Sequence, residues 1–218
     1  MKFSYAGALV ALTLASLLTA CGGKAQYTVQ GTVSGLTVDG LVISNGGTDL
    51  TLNRGATSFA FPQQIDYGDS FNITVKTNPP FMTCGVSGGS GTAGYTVAIG
   101  AVVSCSPIAY TVGGHYTGLT STTTTTKDTD GKDVVTTVAR SAVLINGSAT
   151  PVTVSSTSTT VGDGEFSAAT LTNGDVYSIS ILTQPTGLFC TLGNNVGVVR
   201  GANVTNLTLD CVPATTSN

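Results

Sequence analysis

Tyr27-Thr28-Val29-Gln30-Gly31-Thr32-Val33-Ser34-Gly35-Leu36-Thr37 returns, 83 residues on, as Tyr110-Thr111-Val112-Gly113-Gly114-His115-Tyr116-Thr117-Gly118-Leu119-Thr120. A fixed-offset repeat is the signature of a duplicated structural unit. Within the stretch, Tyr27, Val29, Gly31 and Val33 alternate with Thr28, Gln30 and Thr32. That period of two is the pattern of a half-buried strand and not of a helix.

Reading outward, the correspondence continues. Val42, Ile43 and Asn45 answer to Val143, Leu144 and Asn146; Gly68-Asp69 answers to Gly174-Asp175, and Pro79 to Pro185. Cys84 and Cys105 return as Cys190 and Cys211 at an offset of 106, so the second copy carries about 23 more residues, mostly over Ser121–Arg140. Phe71, Ile73 and Val75 alternate with polar neighbours, as do Tyr177, Ile179 and Ile181. Ala101, Val103 and Cys105 share one strand face, and Leu207, Leu209 and Cys211 another, so the sulfurs are expected to point inward. With Gly, Asn, Asp and Pro punctuating short runs, the expected fold is all-β: two tandem antiparallel β-sandwich modules. The expected boundaries are 27–106 and 110–213, with a linker at 107–109, an insert at about 121–140 and a tail at 214–218.

Composition agrees with strands and narrows the function classes. Charged residues are 9% of the chain, against about 25% in an average soluble domain. Thr occupies 38 positions and Gly 28, a bias towards extension and turns. Eight scattered cations and a net charge of −3 give no footprint for nucleic acid. One His cannot build a multi-His metal site.

Residues 1–20 read as an export signal: Lys2 precedes an apolar run from Ala6 to Leu18 that ends in small residues. Leu18-Thr19-Ala20-Cys21 resembles the lipobox of bacterial lipoproteins. The resemblance implies cleavage before Cys21, acylation of that residue, and membrane attachment through the lipid, with residues 21–26 as the lipidated linker. Gly22 stands where an inner-membrane retention Asp would sit, which points to the outer membrane and leaves its face undecided. The remaining four cysteines allow three pairings. The identical spacing of 21 selects Cys84–Cys105 and Cys190–Cys211, and an oxidising compartment favours both bonds. Zinc would need four thiolates to converge from two modules, and no Cys-x-x-Cys pair is present.

The order Tyr-Thr-Val-x-Gly-x-x-x-Gly-Leu-Thr, Leu-Val-x-x-Asn-Gly, Gly-Asp-x-(aromatic)-x-Ile and Pro-x-x-x-x-Cys resembles repeats of bacterial lipoproteins and large surface proteins. It is also similar to Ig-like, prealbumin-like sandwiches of the collagen-adhesin B type, with Gly162-Asp163-Gly164-Glu165-Phe166 as the glycine turn before a strand. The first copy has the looser Gly55-Ala56-Thr57-Ser58-Phe59 there. The resemblance implies stalks, spacers or adhesive units, with a protein or glycan as the partner.

Reactive motifs are few. Gly85-Val86-Ser87-Gly88-Gly89 fits a nucleophile elbow and Gly89–Gly94 a dinucleotide loop, but each requires a following helix that the glycines argue against. His115 aligns with Thr32 on an outward strand face, where it reads as a solvated residue. No cofactor and no catalytic residue is expected. Asp128, Asp130 and Asp133 could give calcium three oxygen ligands, but Gly131 comes early and no terminal Glu follows. The competing reading is a polar hairpin tip between Thr122–Thr126 and Val134–Val138. The expected function is that of a non-enzymatic spacer or interaction module. The alternative is an adhesin-like binder working through the insert.

Overall fold

The computed structural model describes residues 24–94 and 99–215. Cys21 and the signal lie outside the described residues. Every regular element among the described residues is a strand. Two compact units form: one runs to Asn78 and resumes over Cys84–Cys105, and the other comprises Pro79–Thr83 and the chain from Ser106 on.

The first unit contains β1 (Gln26–Ser34), β2 (Leu41–Asn45), β3 (Thr48–Leu52), β4 (Ser58–Asp66), β5 (Ser70–Thr77), β6 (Met82–Ser87) from Cys84 on, β7 (Ser90–Thr92) and β8 (Ala101–Pro107) as far as Cys105. They build two sheets, ordered β4-β1-β8-β6 and β3-β2-β5-β7. The alternation in the sequence is the alternation in burial: Val29, Val33, Ile43, Phe71, Ile73, Ala101 and Val103 are buried in one core.

The second unit contains β9 (Ala109–Thr117), β10 (Thr122–Lys127), β11 (Asp133–Val138), β12 (Arg140–Asn146), β13 (Val152–Ser156), β14 (Gly164–Thr172), β15 (Val176–Thr183), β16 (Leu188–Gly193), β17 (Val196–Val198) and β18 (Val204–Pro213). Its sheets run β14-β9-β18-β16 and β13-β12-β15-β17. Without β10 and β11, this is the strand order of the first unit. The inserted pair forms its own two-stranded sheet. Val112, Leu144, Ile179, Leu207 and Leu209 are buried in this unit's core, with both of its cysteines.

Two expectations are corrected. The sheets are not purely antiparallel: β1 pairs with β8 in parallel, and β9 with β18 likewise. Strand alternation is the same for either direction, so the sequence carries no sign of it. The linker at 107–109 is also shorter than expected. Pro107 ends β8 and Ala109 begins β9, so only Ile108 lies between strands.

Repeated polar residues explain themselves at the turns. Asn45 Oδ1 accepts the Asn72 amide at 2.9 Å, and Asn146 Oδ1 accepts that of Ser178 at 2.9 Å. Asp69 accepts the Asp66 amide at 3.0 Å. Asp175 accepts the Thr172 amide at 2.8 Å and its hydroxyl at 2.9 Å, which together hold the Asp175 carboxyl below its ordinary pKa.

Candidate functional site

The most distinctive arrangement in each unit is the meeting of its first and last strands. In the first, Gly31, Thr32, Val33 and Ser34 lie beside Ala101, Val102, Val103 and Ser104. In the second, Gly114, His115, Tyr116 and Thr117 lie beside Leu207, Thr208, Leu209 and Asp210. Because these strands run parallel, the chain enters at one end of the ladder and leaves at the other. Tension applied through the two termini loads all the ladder hydrogen bonds together, in shear. An antiparallel terminal pair would open one bond at a time.

The repeated glycines are the condition for this contact. A Cβ on Gly31 would lie 2.1 Å from the Ala101 carbonyl oxygen, and one on Gly114 would lie 1.8 Å from that of Leu207. Gly35 and Gly118, at φ 73° and 67°, turn the chain out of the strand where a Cβ would fall 2.1 Å from the carbonyl oxygens of Cys105 and Cys211. Only glycine combines that φ with that approach. The buried Leu36 and Leu119 follow immediately and anchor the turn in the core. Opposite this turn in the second unit, the Leu119 amide donates to the Gly162 carbonyl at 2.9 Å, and the Gly118 amide to Asp163 Oδ1 at 3.1 Å.

One side-chain rung crosses each parallel ladder beside the cysteine. Ser34 Oγ donates to Ser104 Oγ at 3.4 Å, and Thr117 Oγ1 donates to Asp210 Oδ1 at 2.8 Å. The next residue of the last strand is the disulfide cysteine. Cys84–Cys105 and Cys190–Cys211 are both formed, each with a sequence separation of 21. Cys190 and Cys211 face each other directly across β16 and β18, so the bond ties the last strand to the sheet edge. That edge is closed from outside by an amide side chain. The Cys84 amide donates to Asn78 Oδ1 at 2.8 Å. The Cys190 amide donates to Gln184 Oε1 at 2.8 Å, and Gln184 Nε2 returns a bond to the Cys190 carbonyl at 2.9 Å. The sequence did hold a signal for these two residues, because Asn78 and Gln184 each precede the repeated Pro79 and Pro185.

The other sequence candidates are not brought together. Ser87 is exposed at the end of β6 in the first unit, and the chain continues into β7, not into a helix. His115 is exposed on β9 in the second unit, directly opposite Glu165, beside a shallow depression of about 440 Å³ shared with Thr111, Gly113 and Ser167. At the hairpin tip, Asp128 Oδ1 accepts the Asp130 amide at 3.0 Å and the Lys132 amide at 2.8 Å. Asp133 Oδ1 pairs with Lys127 Nζ at 2.7 Å. These carboxylates hold the turn, and among the described residues no three His, Cys, Asp or Glu side chains converge on a metal position.

No family model matches the chain, and no curated protein matches it in sequence. A solved structure of a point mutant of the major pilin of Streptococcus pyogenes aligns over 87% of this chain and 99% of its own, at 9% identity and a TM-score of 0.23. Similarity at that score carries no argument about this chain.

Proposed function

We propose that this chain is a non-enzymatic, membrane-anchored envelope or surface lipoprotein whose two β-sandwich units serve as a structural spacer or interaction module. The observation that supports it best is the parallel pairing of first and last strands in each unit. It sends the chain in at one end and out at the other, as a load-bearing spacer requires. The disulfides beside those ladders suit an oxidising compartment outside the cytoplasm. The lipid attachment rests on Leu18-Thr19-Ala20-Cys21. The direct test is metabolic labelling with a clickable fatty acid, followed by membrane fractionation and protease shaving of intact and lysed cells. Label and membrane association that disappear in Cys21→Ser support the reading, and an unlabelled, soluble wild type overturns it. Shaving then decides between the periplasmic and the outer face.

A second reading, an adhesin-like protein or glycan binder, is favoured by the β10–β11 hairpin, on which every residue from Thr123 to Val138 is exposed. Deletion of residues 121–140 tests it. Unchanged attachment of cells to glycans or proteins would remove this reading.

A further inference from the structure

The sandwich edges are each blunted, and the hairpin edges are not. A bare strand edge is a template for another strand, and soluble proteins interrupt it with short strands, bulges, Pro or covering groups. β4 carries Pro62 and sits opposite a register break, and β14 has a register shift between Ser167 and Ala169. β3 and β13 are five residues long, and β7 and β17 only three. Asn78 and Gln184 cover β6 and β16 at the cysteines. β10 and β11, by contrast, pair over six residues without a break, contain no Pro, and bond only to each other among the described residues. A two-stranded ribbon alone is marginal in water, and extra strands stabilise it.

The hydrogen-bond phase shows which groups the edges offer. The Asp128 amide donates to the Lys132 carbonyl at 2.9 Å, so that pair is bonded. Alternation along the ladder makes Thr126–Val134, Thr124–Thr136 and Thr122–Val138 the bonded pairs. The free amides and carbonyls of β11 therefore belong to Asp133, Val135 and Thr137, and those of β10 to Thr123, Thr125 and Lys127. Val135 is the most exposed residue of the hairpin's three valines, at 63%.

We propose that two copies of this chain join through β11, antiparallel and centred on Val135. In that register Val135 faces its own counterpart, and Asp133 faces Thr137 of the second copy. The free groups close about six hydrogen bonds, no like charges oppose, and two exposed valines come into cross-strand contact. Moving the centre by one residue places Val135 opposite Asp133 or Thr137 instead. The β10 edge offers only Thr and Lys to the same pairing. The product is a continuous four-stranded sheet made from two hairpins.

This inference rests on the reading of the chain as an interaction module, and its test is independent of the lipid anchor. The full chain carrying Cys21→Ser is purified in mild detergent and oxidised after introduction of Val135→Cys or Val134→Cys. Val135→Cys is expected to cross-link to dimer at least about tenfold faster, because only position 135 meets itself at disulfide distance. In sedimentation, Val135→Pro is expected to be monomeric, since it removes an outward amide and spares the internal ladder. Thr125→Pro, its counterpart on β10, is expected to remain dimeric. A wild type that stays monomeric, equal cross-linking at 134 and 135, or dimer loss in Thr125→Pro alone each overturns the proposal. So does capture of an extended foreign peptide by a monomeric chain. Sedimentation of the wild type decides even if a variant misfolds. None of these failures touches the fatty-acid labelling result.

Discussion

Replacing Gly35 by Ala tests the terminal-strand clamp at its tightest point. The new Cβ would stand 2.1 Å from the Cys105 carbonyl oxygen, well inside any contact distance, and the opposing group is backbone. The residue would also keep φ near 73°, which costs an L-residue about 1–2 kcal/mol. Pushing the carbonyl away adds an overpacking cost of about 1–3 kcal/mol. The sum, about 2–5 kcal/mol, is a large part of the stability of a small unit. Gly46→Ala is the matched control: it has φ 56° and nothing within 4 Å of its Cβ, so only the conformational part, about 1–2 kcal/mol, remains. Urea unfolding followed by far-UV circular dichroism gives the midpoints, and amide hydrogen exchange assigns the loss to the first unit. With a slope of about 1–2 kcal/mol per molar urea, Gly35→Ala lowers its midpoint by roughly 1–5 M. If Gly35→Ala shifts the midpoint no further than Gly46→Ala, the close approach of first and last strands is not what the motif glycine serves.

Under force, each disulfide withholds the 21-residue segment it spans, so reduction lengthens each unit's unfolding step by about 70 Å of contour at about 3.4 Å per residue. Single-molecule pulling with and without reductant reads this directly, and unchanged steps would contradict it. Gln184→Ala removes both bonds to Cys190 and is expected to cost about 1–2 kcal/mol, more than Asn78→Ala, which removes one bond to Cys84. Equal midpoints in denaturant would refute that ordering. Asp175, held low by the Thr172 amide and hydroxyl, and Asp49, held low by Lys76 and then Ser44, are expected to titrate below ordinary Asp in carbon-detected NMR. Depressed carboxyl pKa values mean that the stabilisation is whole above about pH 4 and is lost as pH falls through the folded-state values. Ordinary midpoints for both groups would remove the effect.

Much of this architecture was legible in the chain because it is local or repeated. The period of two in Tyr27–Val33 and Phe71–Val75 marks strands with one buried face, and Val29, Val33, Phe71 and Ile73 do lie in the core. The equal cysteine spacing named the pairs that form. The polar tip at Asp128–Lys132 was readable from Asp130-Gly131 between two β-branched runs. The motif glycines were visible as a repeat, but their purpose was not. It depends on a carbonyl about 70 residues away at Cys105, brought alongside by parallel pairing. Alternation records which face of a strand is buried and says nothing of its neighbour or direction. The covering of β16 by Gln184 and the free edge of β11 likewise depend on which strand ends a sheet. Local pattern therefore determined strands, faces, the repeat and the cysteine pairs. Partner, direction and edge are relations between distant segments, set by how the whole chain closes its core, and only the tertiary structure decided them.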